Sequence, residues 1–207
     1  MKLAYQLFHL DGVSPERDNN AKEIRASLTI PDLASPTFTA ESIPYEVNYP
    51  EHFKRGERGL WFSTYIALVN FLKSPHDALL ILEDDIILEK DFLAGAQGYL
   101  DRVPFMWDFF YQYVHPWQGE NNYKSEHDLG DTKVCRSYQV WSNACFWVSR
   151  QGAQKLLDGI EYTPIEDAID WHILKRGMTR EWDVYTLKPN VPMFCDIAGF
   201  ITTIQDG

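Results

Sequence analysis

Ala78-Leu79-Leu80-Ile81-Leu82-Glu83-Asp84-Asp85-Ile86-Ile87-Leu88 is the stretch on which the fold turns. Its first five residues form an unbroken apolar run, the pattern of a strand covered on both faces. Strands of that kind belong to α/β domains, where helices pack on each side of a mostly parallel sheet. The three acids stand where the strand ends, and open α/β sheets bind ligands beyond the carboxyl ends of their strands. Glu83, Asp84 and Asp85 are therefore read together as a candidate site.

Working outward, Gly56 to Leu72 carries Trp61, Tyr65, Leu68 and Leu72 at spacings of four, three and four, which is one face of a helix ended by Ser74-Pro75. Leu3 to Leu10 is a short apolar run closed by Asp11-Gly12, a first strand and its turn. Ser14 and Pro15 then open a helix to about Leu28, as N-cap and first helical residue. The proline-rich segment 31–50 reads as irregular, with a short strand near Tyr45–Val47. Downstream the pattern predicts a helix from about Lys90 to Leu100 and a strand from Trp107 to Val114. A polar loop over 115–133 follows, then a strand from Asn143 to Ser149 and a helix from Arg150 to Leu157. A second helix opens at Thr163-Pro164, and short strands follow at Val184–Leu187 and Met193-Phe194. The alternation predicts one Rossmann-like α/β domain over 1–207, with a mostly parallel central sheet and helices on both faces.

The formal charge of −11 disfavours nucleic acid as a partner, because such a surface repels phosphate backbones. A nucleotide diphosphate can still bind if a divalent cation comes between. Seven Trp, 11 Tyr and 12 Phe supply more rings than a core alone needs, and exposed rings are flat platforms for sugars. Cys135, Cys145 and Cys195 have no zinc-site spacing and read as reduced, buried thiols of a cytoplasmic protein. No stretch has the length of a membrane span or the form of a signal peptide.

Three adjacent carboxylates repel one another, and desolvation at a sheet end adds to the cost. A hard cation, Mg²⁺ or Mn²⁺, relieves that repulsion and keeps positions open for phosphate oxygens. The bland alternative is a solvated acidic turn.

Leu79-Leu80-Ile81-Leu82-Glu83-Asp84-Asp85-Ile86 resembles the acidic motif of sugar-nucleotide-dependent glycosyltransferases of the GT-A fold. It is especially similar to glycosyltransferase family 25, the lipopolysaccharide and collagen galactosyltransferase group. Leu10-Asp11 with Pro15-Glu16-Arg17 is similar to that family's opening strand, turn and arginine. Gly56-Glu57-Arg58-Gly59 with Ser63 resembles its Gly-Glu-x-Gly-x-x-x-Ser-His helix start, with Thr64 in place of the His. Ser149 to Leu157 resembles its Ser-Arg-x-Gly-Ala-x-x-Leu-Leu passage, and Pro164 to Leu174 its Pro-Val-Asp segment. The chain is short for the family and closer to the compact domains carried by large DNA viruses of algae. The resemblance implies a metal-dependent, inverting hexosyltransferase that moves a sugar from a UDP-sugar to a glycan hydroxyl. It implies Asp85 as metal ligand, Glu83 toward the ribose or a metal-bound water, and Asp84 toward the donor sugar.

An inverting transfer needs a base opposite the donor. Asp170, flanked by Ile169 and Trp171, is the first candidate, with Asp167 and Glu166 behind it; Glu166 and Asp170 share a helix face if the helix opens at Thr163. Asp196 and His172 are candidates for a further metal ligand. Arg58, Lys54, Arg55 and Asp11 are candidates on the nucleotide-sugar side, and His115 and Trp117 for contact with a sugar. Two rival functions remain. A metal-dependent nucleotidyltransferase or phosphodiesterase also uses carboxylates at strand ends, but neither GxxxxGK[ST] nor HxH is present. A non-catalytic sugar-binding module is the other.

Overall fold

The computed structural model describes residues 1–44, 49–113, 131, 133–136, 142–162, 165–188 and 191–199, with backbone alone at 160–162. The expected strand at Tyr45–Val47, the residues His115 and Trp117, and the Thr163-Pro164 helix start lie outside the described residues. In chain order the elements are β1 (Leu3–Phe8), α1 (Pro15–Ser27), a 3-10 turn (Ala40–Ser42), α2 (Arg55–Lys73), β2 (Ala78–Glu83), β3 (Ile86–Leu88) and α3 (Phe92–Leu100). Then come β4 (Phe109–Tyr111), β5 (Val134–Arg136), β6 (Cys145–Ser149), α4 (Arg150–Tyr162), α5 (Ile169–Met178), β7 (Val184–Leu187) and β8 (Cys195–Ile197).

Six strands form one sheet in the order β1-β2-β6-β4-β7-β5, and β3 pairs with β8 in a two-stranded sheet. β1, β2, β4 and β7 run in one direction, while β6 inside the sheet and β5 at its edge are reversed. The sheet is thus mostly parallel in strand direction, as expected. Its two faces are separate cores. Leu80 and Leu82 pack with Ile24 of α1 and Ala96 and Leu100 of α3. Leu79 and Ile81 pack with Trp61, Leu68 and Phe71 of α2, Leu156 of α4 and Ile173 of α5. All five apolar residues of β2 have no exposed surface, which accounts for the unbroken apolar run. Among the described residues no helix is long and apolar enough to cross a membrane.

Ser14 caps α1, accepting the Arg17 N–H at 3.2 Å, with Pro15 at the first helical position. The α2 stripe is rotated from the expected one. Trp61, Thr64, Ala67, Leu68 and Phe71 are buried, while Tyr65 is exposed, because α2 packs against β1 and also beside α4 and α5 on the same face of the sheet. The last strand is β8 rather than Met193-Phe194. Phe194 instead lies across Gly95, where any Cβ would meet its ring at 2.2 Å, and Cys195 to Ile197 reach β3. Strand β5 follows the polar stretch with too few apolar residues to show a period. The helix expected from Thr163 begins at Ile169, with Ala168 extended at its N-cap. Trp61 Nε1 donates to the Asp167 carbonyl at 2.8 Å and holds that segment against α2. Glu166 and Asp167 therefore precede the helix and do not share a helical face with Asp170.

Candidate functional site

β1 and β2 are parallel neighbours with Phe8 opposite Glu83, so His9-Leu10-Asp11 and Asp84-Asp85 leave the sheet side by side. Side chains alternate across a strand. Glu83 continues the Leu79–Ile81 row toward α2 and α5, whereas Asp84 continues the Leu80–Leu82 row toward α1.

Asp84 is buried and fully engaged. Arg17, itself buried, donates Nη1 to Asp84 Oδ1 in a short ion pair, and His9 Nδ1 stands 2.8 Å from Oδ2. The Asn20 side-chain amide donates to the Asp84 and Ile86 carbonyls, each at 2.8 Å, tying α1 to the β2–β3 turn. The family resemblance implies a donor-sugar contact for Asp84; in the structure both of its oxygens are engaged by Arg17 and His9.

Asp85 is different. Its Oδ1 is buried with no hydrogen-bond partner, and its other oxygen lies 3.8 Å from Arg17 Nη2. Its backbone carbonyl accepts the Ala198 N–H at 2.7 Å, so the residue just past β8 braces it. Burial raises the Asp85 carboxyl above the usual range, Arg17 opposes this, and the Asp84 charge adds to the rise. Glu83 is pushed up to about 8 by burial first, then by the charges of Asp85, Asp170 and Asp84, with Arg17 opposing. Asp170, in the first turn of α5, is also raised, by burial and by Glu57 and Asp167, although it accepts the Trp171 N–H at 2.8 Å. Its charge is felt at Glu83 and at Tyr111, the last residue of β4, whose buried hydroxyl has no partner. The chain thus gathers acids at one sheet end beyond what Arg17 neutralises. An orphaned buried carboxylate oxygen beside a second raised carboxyl fits a hard cation.

A cavity of about 520 Å³ opens over this floor. Phe8, His9, Arg17, Glu83, Asp84 and Asp85 line its base, Thr37 to Glu41 one wall, and the start of α2 the other. Gly59 makes that closure possible, since a Cβ there would stand 2.4 Å from the Phe38 carbonyl oxygen. Ser63 Oγ accepts the Phe38 N–H at 2.8 Å and donates to the Gly59 carbonyl at 2.7 Å. The glycine and serine of the Gly-Glu-x-Gly-x-x-x-Ser pattern therefore clamp the cavity wall to α2. Glu57 accepts the Lys54 N–H at 2.8 Å, and Arg55 pairs with Glu41 across the mouth.

The other candidates are dispersed. Asp11 is exposed beside His9. Arg58 has a buried Nε with no partner and is not among the lining residues. Glu166 is exposed, and Asp167 pairs with Lys175 at 2.6 Å. Asp196 lies on β8 opposite Ile87, exposed, with its carboxylate on the Ile197 N–H at 2.8 Å. His172 sits between Trp61 and Trp182, its pKa driven down to about 4 by burial and then by Arg176. Sequence reasoning passed over His9, Arg17 and Asn20 as site residues. Two signals were available: Arg17 stands where the resembled family has its opening arginine, and His9 directly follows an apolar strand.

No protein-family model and no curated protein matches the chain. Among solved structures, A197 from STIV is similar over 91% of this chain and 82% of that one, with TM-score 0.49 and 13% identity. A glycosyltransferase involved in glycosylation of the major capsid of PBCV-1 aligns over 79% of this chain and 69% of its own, with TM-score 0.43 and 11% identity. A Drosophila β-1,4-galactosyltransferase 7 mutant in complex with manganese, UDP-Gal and xylobiose aligns over 93% and 66%, with TM-score 0.45 and 13% identity. These are likenesses of chain trace. A reading of function rests on the site's own chemistry.

Proposed function

We infer that the chain is a metal-dependent glycosyltransferase of GT-A type that moves a hexose from a UDP-sugar to a glycan hydroxyl. The observation that carries this is the partnerless, buried Oδ1 of Asp85 beside Glu83 on the floor of a nucleotide-sized cavity. Asp85 and Glu83 hold the cation in this reading, Mn²⁺ or Mg²⁺. When bound, the cation neutralises charge on the leaving diphosphate. Arg17 engages Asp84 on the cavity floor and lends positive charge to Asp85. Phe8, Leu10 and Phe38 give the cavity an apolar side for the flat base, and Lys54 and Arg55 line it on the nucleotide side.

Asp170 takes the acceptor proton. Its raised carboxyl brings a base closer to neutral pH, where proton transfer is most effective. As the acceptor oxygen bonds to the sugar's anomeric carbon, the bond to the diphosphate breaks and the proton passes to Asp170. That is the inverting outcome implied by the resemblance to family 25.

The test is a panel of UDP- and GDP-sugars with and without Mn²⁺, read as nucleoside diphosphate release. One donor turned over only with the cation supports the reading; neither binding nor release across the panel overturns it. Asp170→Asn should keep donor binding and lose transfer, and unchanged transfer removes Asp170 as the base.

A further inference from the structure

The cation inferred above has oxygen ligands only. A second constellation of metal-ligand type lies at the end of β1, beside it but built from other residues. His9 Nε2 stands 3.2 Å from Asp11 Oδ1 and 3.2 Å from Asp18 Oδ1, and the three ligand atoms all lie within 4.8 Å of one another.

Three features argue for more than a solvated acidic turn. First, the His9 side chain is only 2% exposed, so its free ring nitrogen is aimed rather than wandering. Second, its other nitrogen is fixed. A carboxylate only accepts, so the 2.8 Å contact to Asp84 Oδ2 places the proton on Nδ1 and, in the neutral ring, the lone pair on Nε2. Metal-bound histidines are oriented in this way, donating the second ring N–H to a carboxylate. Asp84 is itself pinned by Arg17, so the ring cannot turn freely. Third, Nε2 points between two carboxylate oxygens at equal distances of 3.2 Å, which converges one nitrogen and two oxygens on a single point, the donor set of a divalent cation. Asp18 is held in place, its Oδ1 accepting the Gly12 N–H at 3.0 Å, in a turn where Gly12 takes φ 77°.

We propose that His9, Asp11 and Asp18 form a second divalent-cation site, selective for a zinc-class ion over magnesium. An imidazole with two carboxylates suits Zn²⁺ or Co²⁺, whereas Mg²⁺ prefers an all-oxygen shell. The Asp11 side chain is 95% exposed, so the site opens to solvent on one side and keeps a position for a water or an anionic oxygen. It borders the cavity at His9.

The test is titration of the metal-free protein with Co²⁺ in excess Mg²⁺, followed by calorimetry and by visible absorption, with no nucleotide sugar present. It is therefore independent of whether the chain transfers sugar. The wild type should bind a single Co²⁺ with absorption bands of a nitrogen-ligated ion. Asp11→Asn with Asp18→Asn, both at partly or fully exposed side chains, should weaken that binding by at least about tenfold. His9→Gln, with its thermal melt checked, should remove the nitrogen signature. Asp85→Asn should leave the Co²⁺ affinity in place. The proposal is overturned if Co²⁺ does not bind, if the double variant binds it as tightly, or if Asp85→Asn alone abolishes binding.

Discussion

On the α1 face of the sheet, Asp84 has an arginine, a histidine and, at its backbone, an asparagine. One residue away on each side, Glu83 and Asp85 have too few partners, and Asp85 has a buried oxygen with none. The difference follows from where β2 ends: Glu83 is its last strand residue, and Asp84 and Asp85 stand in the turn beyond it, where Asp84 meets Arg17 and His9. A run of like residues that crosses a strand end is divided between different environments. The neutralised acid supports the fold, and the uncompensated pair is free to serve a ligand.

The sharpest way to break this comparison is to remove the partner of the satisfied acid. Arg17→Met leaves Asp84 buried beside His9 without its guanidinium, and loss of one member of a buried ion pair costs about 3–5 kcal/mol. Urea unfolding should show that loss, and a change within experimental scatter would mean Asp84 is not anchored as described.

On the opposite face, His172 is a polar group buried for the fold alone. Its folded-state pKa, near 4, is below its ordinary 6.5, so the unfolded chain binds the extra proton between those values. That contribution is complete above about pH 6.5 and is lost as pH falls toward about 4, amounting to about 3 kcal/mol. His172→Phe should flatten this limb of the stability–pH curve. An unchanged slope between the same limits would assign the acid sensitivity elsewhere.

Much of the frame was legible from sequence, and for a local reason. The β2 run, the Ser14-Pro15 start of α1, the extent of α2 and the acidic triplet are each written in consecutive residues. What was hidden depends on contacts between distant segments. His9 and Arg17 become site residues only once β1 lies parallel to β2 with Phe8 opposite Glu83. The later start of α5 depends on Trp61 holding the Asp167 carbonyl, a contact between residues far apart in the chain. The burial of Thr64 rather than Tyr65 on α2 depends on where α4 and α5 lie.

Two smaller effects sharpen the contrast further. Gly59→Ala would drive a methyl group onto the Phe38 carbonyl and should cost about 1–3 kcal/mol, with the cavity wall displaced. A stability loss with unaltered ligand binding would show that the wall does not shape the site. Asp85→Asn, in the absence of cation, should leave stability unchanged or raise it by about 1 kcal/mol, because it removes a buried charge that lacks a hydrogen-bonding partner. Destabilisation like that of Arg17→Met would place Asp85 with Asp84 as a fold-bearing acid.

The most direct test of the central claim is nucleoside diphosphate release from the preferred UDP-sugar, measured against Mn²⁺ concentration in wild type and Asp85→Asn. Saturable, cation-dependent release that disappears in the variant while the fold is kept is the predicted result. Release that needs no cation, or that survives Asp85→Asn unchanged, would contradict it.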